Sequence, residues 1–247
     1  MKALVALELN RLAVEDVELA PPQAGEVRVR MKAAGVCHSD LSVVNGTVPM
    51  PLPMVLGHEG AGIVETVGPG VTRVAAGDHV VLSFVPNCGE CWFCVRQEPH
   101  LCVRCDAGGR MWDGTSRLKL RGQELGAMSQ LGCLAQYAVV PAASVMPIDR
   151  TIPFDCAALV GCAVMTGVGA VTNTAQVEAG STVAVFGCGG VGLAAIQGAR
   201  LVGAKQIIAV DLADNKLEYA RSFGATHCVK ASDGVVAEVQ ALTQGLG

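Results

Sequence analysis

TVAVFGCGGVGLAAIQGARL, residues Thr182 to Leu201, is the stretch that decides the fold. Five residues of strand character run into Gly187-Cys188-Gly189-Gly190-Val191-Gly192, and an apolar helical pattern from Val191 to Leu201 follows at once. A G-x-G-x-x-G turn between strand and helix lets backbone approach a pyrophosphate and turns a helix N-terminus toward it. Alone the pattern is weak, since a glycine turn can serve helix-sheet packing only. It gains weight from Asp211, which closes the next strand 19 residues after Gly192. An acid there can bind the hydroxyls of an adenosine ribose, although a helix cap is its other reading. The same charge repels a ribose phosphate, which favours NAD over NADP. Lys216 is placed to touch that ribose or to lie solvated on its helix.

Outward from this stretch the two halves of the chain differ. Downstream, strand Ile207 to Val210, helix Asn215 to Phe223 and strand His227 to Val229 continue the alternation expected of a parallel sheet with crossover helices. Upstream, to about residue 150, short strands alternate with Gly and Pro: Val27 to Lys32, Gly62 to Val67, His79 to Phe84 and Gln136 to Val140. That half reads as a small β-barrel-like domain. The run from Cys105 to Cys133 is Gly-rich and mixed in charge, and is expected to carry little regular structure. The fold class is therefore mixed α/β.

The chain has 247 residues, 51% of them hydrophobic, with 30 Gly and only 4% aromatics, which suits tight turns and small-residue packing. A net charge of -4 argues against nucleic acid as a partner. Residues 156–177 and 179–199 are uncharged and long enough to raise the question of a membrane span. Their recurrent Gly and Thr, with Asn173, Gln176 and Gln197, argue against one. No signal peptide is expected, because Glu8 interrupts the apolar run after Met1-Lys2.

Cys88-x2-Cys91-x2-Cys94-x7-Cys102 sets four thiols within 15 residues, a spacing that suits one tetrahedral zinc. Disulfides, the other reading, need an oxidising compartment. Further Cys and His stand in separate segments: Cys37-His38-Ser39-Asp40, Gly57-His58-Glu59-Gly60 and Gly161-Cys162. A catalytic zinc needs three such ligands and one open position. Singly these residues say little. Cys162 in its apolar run reads as a core residue, and a zincin helix fails because position 62 is Gly62.

Taken in order, GVCHSD from Gly35, GHEGAGIVETVGPGV from Gly57, the four-cysteine lobe, LVGCAVMTGVGA from Leu159 and VFGCGGVG from Val185 resemble the zinc-dependent medium-chain alcohol dehydrogenases. The resemblance runs the whole length of the chain. It implies a GroES-like β-barrel catalytic domain over 1–164, with a structural zinc lobe at 86–104, and the first half of a Rossmann NAD-binding sheet over 165–247. Two zinc ions are implied. Cys88, Cys91, Cys94 and Cys102 would hold the structural one, and Cys37, His58 and Cys162 the catalytic one, with Glu59 close behind as an occasional ligand. Asp40 would orient His58. Ser39 would take the alcohol proton, and the zinc-bound alkoxide would give hydride to NAD. His38 matches the position that contacts the pyrophosphate, and Thr166 and Val191 match positions lining the nicotinamide. Gly187, Gly189, Gly190 and Gly192 would cradle the phosphates, with Asp211 and Lys216 at the ribose. Phe84 and Val48 match substrate-pocket positions or are ordinary core residues.

Departures from the family pattern shape the expectation of function. Where many relatives place a His to pass the proton to solvent, this chain has Ser42, which leaves water or buffer as acceptor. The chain stops at Gly247, well before the family's usual end, so Thr182 to Phe186 is expected at a sheet edge. Met111-Trp112-Asp113-Gly114-Thr115-Ser116-Arg117 resembles the longer-lobed class I and class III members, whereas their paired His is replaced around Glu124-Leu125-Gly126. The implied activity is reversible oxidation of a primary alcohol to an aldehyde. The alternatives are a thiol-adduct formaldehyde dehydrogenase or a catalytically silent, zinc-stabilised fragment. A cytoplasmic enzyme acting on small molecules is expected, homodimeric in the full-length family. Five further cysteines, Cys105, Cys133, Cys156, Cys188 and Cys228, suit a reducing cytosol. Cys188 reads as a small buried filler or as a thiol activated by the helix N-terminus.

Overall fold

The computed structural model describes residues 1–106 and 108–245. Residue 107 of the lobe, and residues 246 and 247 at the end of the expected second domain, lie outside the described residues. The chain divides into two compact units, Met1–Cys162 and Ala163–Gly247.

In the first unit, β1 (Lys2–Glu8), β2 (Arg11–Asp16), β3 (Glu18–Leu19) and β4 (Glu26–Gly35) lead to helix α1 (His38–Val44). Then come β5 (Met54–Val55), β6 (Glu59–Val67), β7 (His79–Leu82) and the one-turn helix α2 (Trp92–Val95). β8 (Leu118–Leu120), β9 (Gln123–Ala127), β10 (Tyr137–Pro141) and β11 (Val145–Pro147) follow, before helix α3 (Phe154–Leu159). Among the described residues these strands make two sheets, one of order β2-β1-β5-β9-β8-β3 and one of order β10-β4-β6-β7-β11. In β4 the alternation that made it legible as a strand buries Val27 and Val29 and exposes Arg30. Val27 and Val29 join Val64, Val80, Leu82, Val140 and Val145 in one apolar cluster. Each such side chain contributes about 1.5–3 kcal/mol by leaving water. Two register shifts between β4 and β6 mark bulges in this pair.

The lobe after Cys105 departs from the expectation of little regular structure. It folds β8 and β9 into a hairpin, and β9 pairs in parallel with β5, extending the larger sheet. Leu118, Leu125 and Ala127 are buried there. Interleaved Lys119, Glu124 and Gly126 masked that alternation. The β1–β2 hairpin was likewise not read from the sequence.

The second unit follows the expected rhythm closely. A helical stretch includes α4 (Met165–Gly169), and then β12 (Thr182–Phe186), α5 (Gly190–Leu201), β13 (Gln206–Asp211), α6 (Asp214–Phe223) and β14 (His227–Lys230) alternate, with α7 (Val235–Leu242) last. The strands form a parallel sheet of order β12-β13-β14. β12 stands at the edge, as expected, with Phe186 exposed. Ile196, Ala199, Ile207, Ala209, Leu217 and Ala220 form its core between helices and sheet. Phe154–Thr174, 21 residues of mean hydropathy 1.8, has the length and composition of a membrane span. Gly, Thr and Asn173 interrupt its apolar surface.

Segment 111–117, which marked the longer-lobed pattern, is held by a buried ion pair. Arg117 grips Glu26 through two parallel bonds, Nε to Oε2 at 2.9 Å and Nη2 to Oε1 at 2.6 Å, and also donates to Asp113 Oδ2 at 2.6 Å. Both Arg117 and Glu26 are buried, so this clamp ties the lobe to the start of β4. Arg117→Ala leaves Glu26 buried without its partner, and urea unfolding is expected to show a loss of about 3 kcal/mol; an unchanged midpoint would refute the clamp. The hydrogen bond from Arg117, with the N–H of Thr115 behind it, holds the Asp113 carboxyl down at about 2, against an ordinary 3.8. Its contribution is therefore complete above pH 3.8 and lost as pH falls through about 2. Asp113→Asn is expected to flatten stability over that acid range.

Candidate metal centres and nucleotide-binding turn

In the four-cysteine lobe, the thiols are set by a turn, one short helix and a 3-10 turn. Cys88 precedes a glycine turn, Cys91 caps α2, Cys94 lies inside α2, and Cys102 follows the 3-10 turn Pro99–Leu101. Their sulfurs lie within 4.8 Å of one another, with Cys88 Sγ and Cys94 Sγ 3.9 Å apart. A tetrahedron of Zn–S bonds of about 2.3 Å has edges near ~3.8 Å, so the cage matches zinc. Backbone N–H groups already point at the sulfurs: Cys91 N donates to Cys88 Sγ at 3.3 Å, and Cys88 N to Cys102 Sγ at 3.4 Å. Backbone bonds from Cys94 and Val103 draw the Cys91 thiol down to about 6, whereas burial pushes Cys94 up to about 12. A cation would settle the whole set as thiolates.

The second cluster gathers Cys37, the adjacent His58 and Glu59, and Cys162 from three places in the first unit, again within 4.8 Å. Asp40, buried in α1, assembles it. Its Oδ2 accepts the N–H of Cys37 at 2.9 Å and its Oδ1 the N–H of Gly57 at 3.0 Å. The same Oδ1 lies 3.7 Å from His58 Nδ1, which leaves Nε2 as the ring's ligand atom. Asp40 was expected to orient His58 alone. The structure gives it a wider task, fixing the backbones that carry two ligands. Its own carboxyl is lowered: burial opposes this, but His58 and the two N–H donors outweigh burial. His58 is raised, burial opposing and Asp40 prevailing, and Phe84 stands edge-on to its ring at 5.8 Å.

Cys162 lies in the π-helical segment Val160–Val164, a widened turn of the kind common at functional sites. Gly161 before it passes so close to β7 that a Cβ would meet the Leu82 carbonyl oxygen at 2.4 Å. This requirement was not read from the sequence; the adjacency of Gly161 to a candidate ligand was the available signal. Burial, then the charges of Cys37 and Glu59, push the Cys162 thiol up to about 12. Cys37 is lowered because bonds from Ser39 and His58 outweigh its burial. Two thiols, an imidazole and a carboxylate form a donor set suited to zinc.

Around this cluster Ser39 is exposed, its Oγ 3.6 Å from Cys37 Sγ. His38 Nδ1 and Ser42 Oγ, the latter buried, are 3.3 Å apart. Ser42 thus faces His38, a pairing the sequence reading did not foresee. Val48 is exposed and Phe84 half-buried.

In the second unit, Gly187 follows β12 and Gly190 opens α5, with Gly189 as its cap. At Gly192 a Cβ would lie 1.8 Å from the Gly187 carbonyl oxygen, so only glycine fits the turn. Asp211 accepts the N–H of Cys188 at 2.7 Å and of Ala213 at 3.0 Å, and these bonds hold its carboxyl low. It therefore locks the glycine turn to the end of β13 and keeps an anionic oxygen there. Lys216 Nζ is 4.0 Å from it and exposed. Cys188 is buried, with its thiol raised by burial, which favours the filler reading. Thr166 and Val191 are both exposed, on α4 and α5.

Residues 23–150 match the family model described as alcohol dehydrogenase GroES-like domain, and residues 190–247 match the one described as zinc-binding dehydrogenase. The chain belongs to the zinc-dependent medium-chain alcohol dehydrogenase family. It is 49% identical over 245 residues to the alcohol dehydrogenase class-3 of Myxine glutinosa, a match that covers 96% of this chain and 65% of that protein. Among solved structures it resembles an alcohol dehydrogenase zinc-binding domain protein from Burkholderia ambifaria, with 38% identity and a TM-score of 0.93 over 99% of this chain and 68% of the other. Benzyl alcohol dehydrogenase from Acinetobacter calcoaceticus matches at 34% identity and a TM-score of 0.90, over 98% of this chain and 67% of the other. The chain thus spans about two thirds of the length of these relatives. The expected GroES-like domain and Rossmann-type parallel sheet are both present.

Asp40→Asn keeps the shape of that side chain but trades one acceptor oxygen for a donor facing an N–H. Zinc affinity at the Cys37 cluster is expected to fall 10- to 100-fold, while the lobe keeps its ion. Chelator competition followed by metal analysis checks this, and unchanged affinity would refute the assembling role of Asp40.

Proposed function

We propose that the chain forms the zinc- and NAD-binding body of a dehydrogenase that interconverts a primary alcohol and its aldehyde. The observation that carries this is the gathering of Cys37, His58, Glu59 and Cys162 within 4.8 Å. Cys37, His58 and Cys162 would hold the catalytic zinc, with Glu59 as an exchangeable donor behind them, and Cys88, Cys91, Cys94 and Cys102 would hold the structural one. When bound, zinc supplies Lewis acidity toward an alcohol oxygen and NAD supplies the hydride acceptor.

The remaining work falls to this chain's own groups. Ser39, exposed beside Cys37, takes the hydroxyl proton of the alcohol and passes it to water. Ser42 is engaged with His38 and is no base near neutral pH, so solvent or buffer completes the transfer. Phe84 and Val48 bound the apolar side of the substrate site. The glycine turn 187–192 and the N-terminus of α5 take the pyrophosphate, while Thr166 and Val191 support the nicotinamide. Asp211 and Lys216 take the ribose, and the charge of Asp211 favours NAD over NADP. The domain assignment is 1–164 for catalysis and 165–247 for NAD. Eleven free thiols suit a cytoplasmic protein, and a homodimer is the expectation for the full-length family rather than for this chain.

Oxidation of an alcohol panel by the purified chain, with NAD or NADP and with or without a low-molecular-weight thiol, tests this reading. Turnover of primary alcohols with NAD and no thiol is expected. A strict thiol requirement with formaldehyde would favour the thiol-adduct alternative. Absence of NAD binding with zinc present only at the lobe would leave a silent zinc-stabilised protein.

A further inference from the structure

The zinc lobe carries a fifth thiol that the four-ligand cage does not use. Cys105 is exposed, and it stands three residues after the buried ligand Cys102. Residues 102–105 close a β-turn, with Cys105 N donating to Cys102 O at 3.2 Å. Such a turn brings its first and fourth Cα atoms to within about 7 Å, and disulfides span about 4.4–6.8 Å between Cα atoms. Cys105 Sγ is folded back on the lobe, 3.5 Å from the carbonyl oxygen of Pro86, two residues before the ligand Cys88. The spare thiol therefore lies against the cage on the turn that carries one of its ligands.

We propose that Cys102 and Cys105 form a peroxide-driven thiol-disulfide switch that removes one ligand from the structural zinc and releases the ion. The chemistry balances with hydrogen peroxide as the oxidant. The Cys105 sulfur attacks one peroxide oxygen, the O–O bond breaks, and a sulfenic acid and one water form. The Cys102 thiolate then attacks the sulfenic sulfur, the S–O bond breaks, an S–S bond forms, and the departing hydroxide takes a proton from solvent to leave as a second water. The two sulfurs lose two electrons in all, which the peroxide takes up. Three sulfurs then remain for the zinc, and a dithiol reductant reverses the change by exchange. Exposed Cys105 meets the oxidant, and buried Cys102 resolves the product. The switch rests on the reading of the lobe as a zinc site, and its test separates the two.

The full chain, its zinc content first counted, is treated with one equivalent of hydrogen peroxide. Released zinc is followed with a chromophoric chelator, and the new linkage is mapped by peptide mass. The expected result is a Cys102–Cys105 linkage, zinc release reversed by a dithiol, and release about tenfold or more slower in Cys105→Ser. Cys156→Ser, which removes an exposed thiol on α3, should release zinc as the unaltered chain does. Equal release from Cys105→Ser, or release without the Cys102–Cys105 linkage, overturns the switch. A lobe without zinc before oxidation overturns the zinc reading instead, and the linkage map still decides whether the two thiols pair.

Discussion

The buried carboxylate of Asp40 is the constraint on which the first unit's chemistry depends. One oxygen holds the backbone of Cys37, the other holds Gly57 beside His58, and the ring of His58 lies 3.7 Å away. Two segments that carry candidate ligands, one at the start of α1 and one leading into β6, are thereby held in one geometry. The donor set waits as four groups of which three favour negative charge, and a dication is the natural counterweight. Gly161 completes this arrangement by letting the chain run against Leu82, so that Cys162 meets Cys37, His58 and Glu59.

Asp211 plays the corresponding part in the second unit. The sequence offers it as a ribose ligand or a helix cap; in the structure it fastens Cys188 in the glycine turn. Each acid fixes a loop by accepting that loop's backbone N–H groups. Arg117 makes a third such tie. The segment that resembles the longer-lobed members also forms a charged clamp between the lobe and β4.

Local pattern made much of this legible. The parallel strands β12, β13 and β14 and the helices α5 and α6 follow from apolar periodicity and glycine punctuation, and their observed bounds lie within one or two residues of those expected. Both metal clusters were legible too, the lobe from spacing alone and the other only through resemblance, since Cys37, His58 and Cys162 are distant in sequence. What was hidden depends on long-range pairing. The β8–β9 hairpin is short and interleaved with charge, and its order comes from β5, more than sixty residues upstream. The Ser42–His38 pairing and the π-turn at Cys162 likewise depend on side-chain geometry that spacing does not encode.

The central claim is that this chain alone carries two assembled zinc sites of different composition. X-ray absorption at the zinc edge of the purified, metal-loaded chain tests it most directly. With four sulfurs at the lobe and two at the Cys37 cluster, the account predicts two zinc ions per chain with, on average, about three sulfurs near 2.3 Å and one or more nitrogen or oxygen ligands near 2.0 Å. One zinc per chain with a purely four-sulfur shell would contradict it.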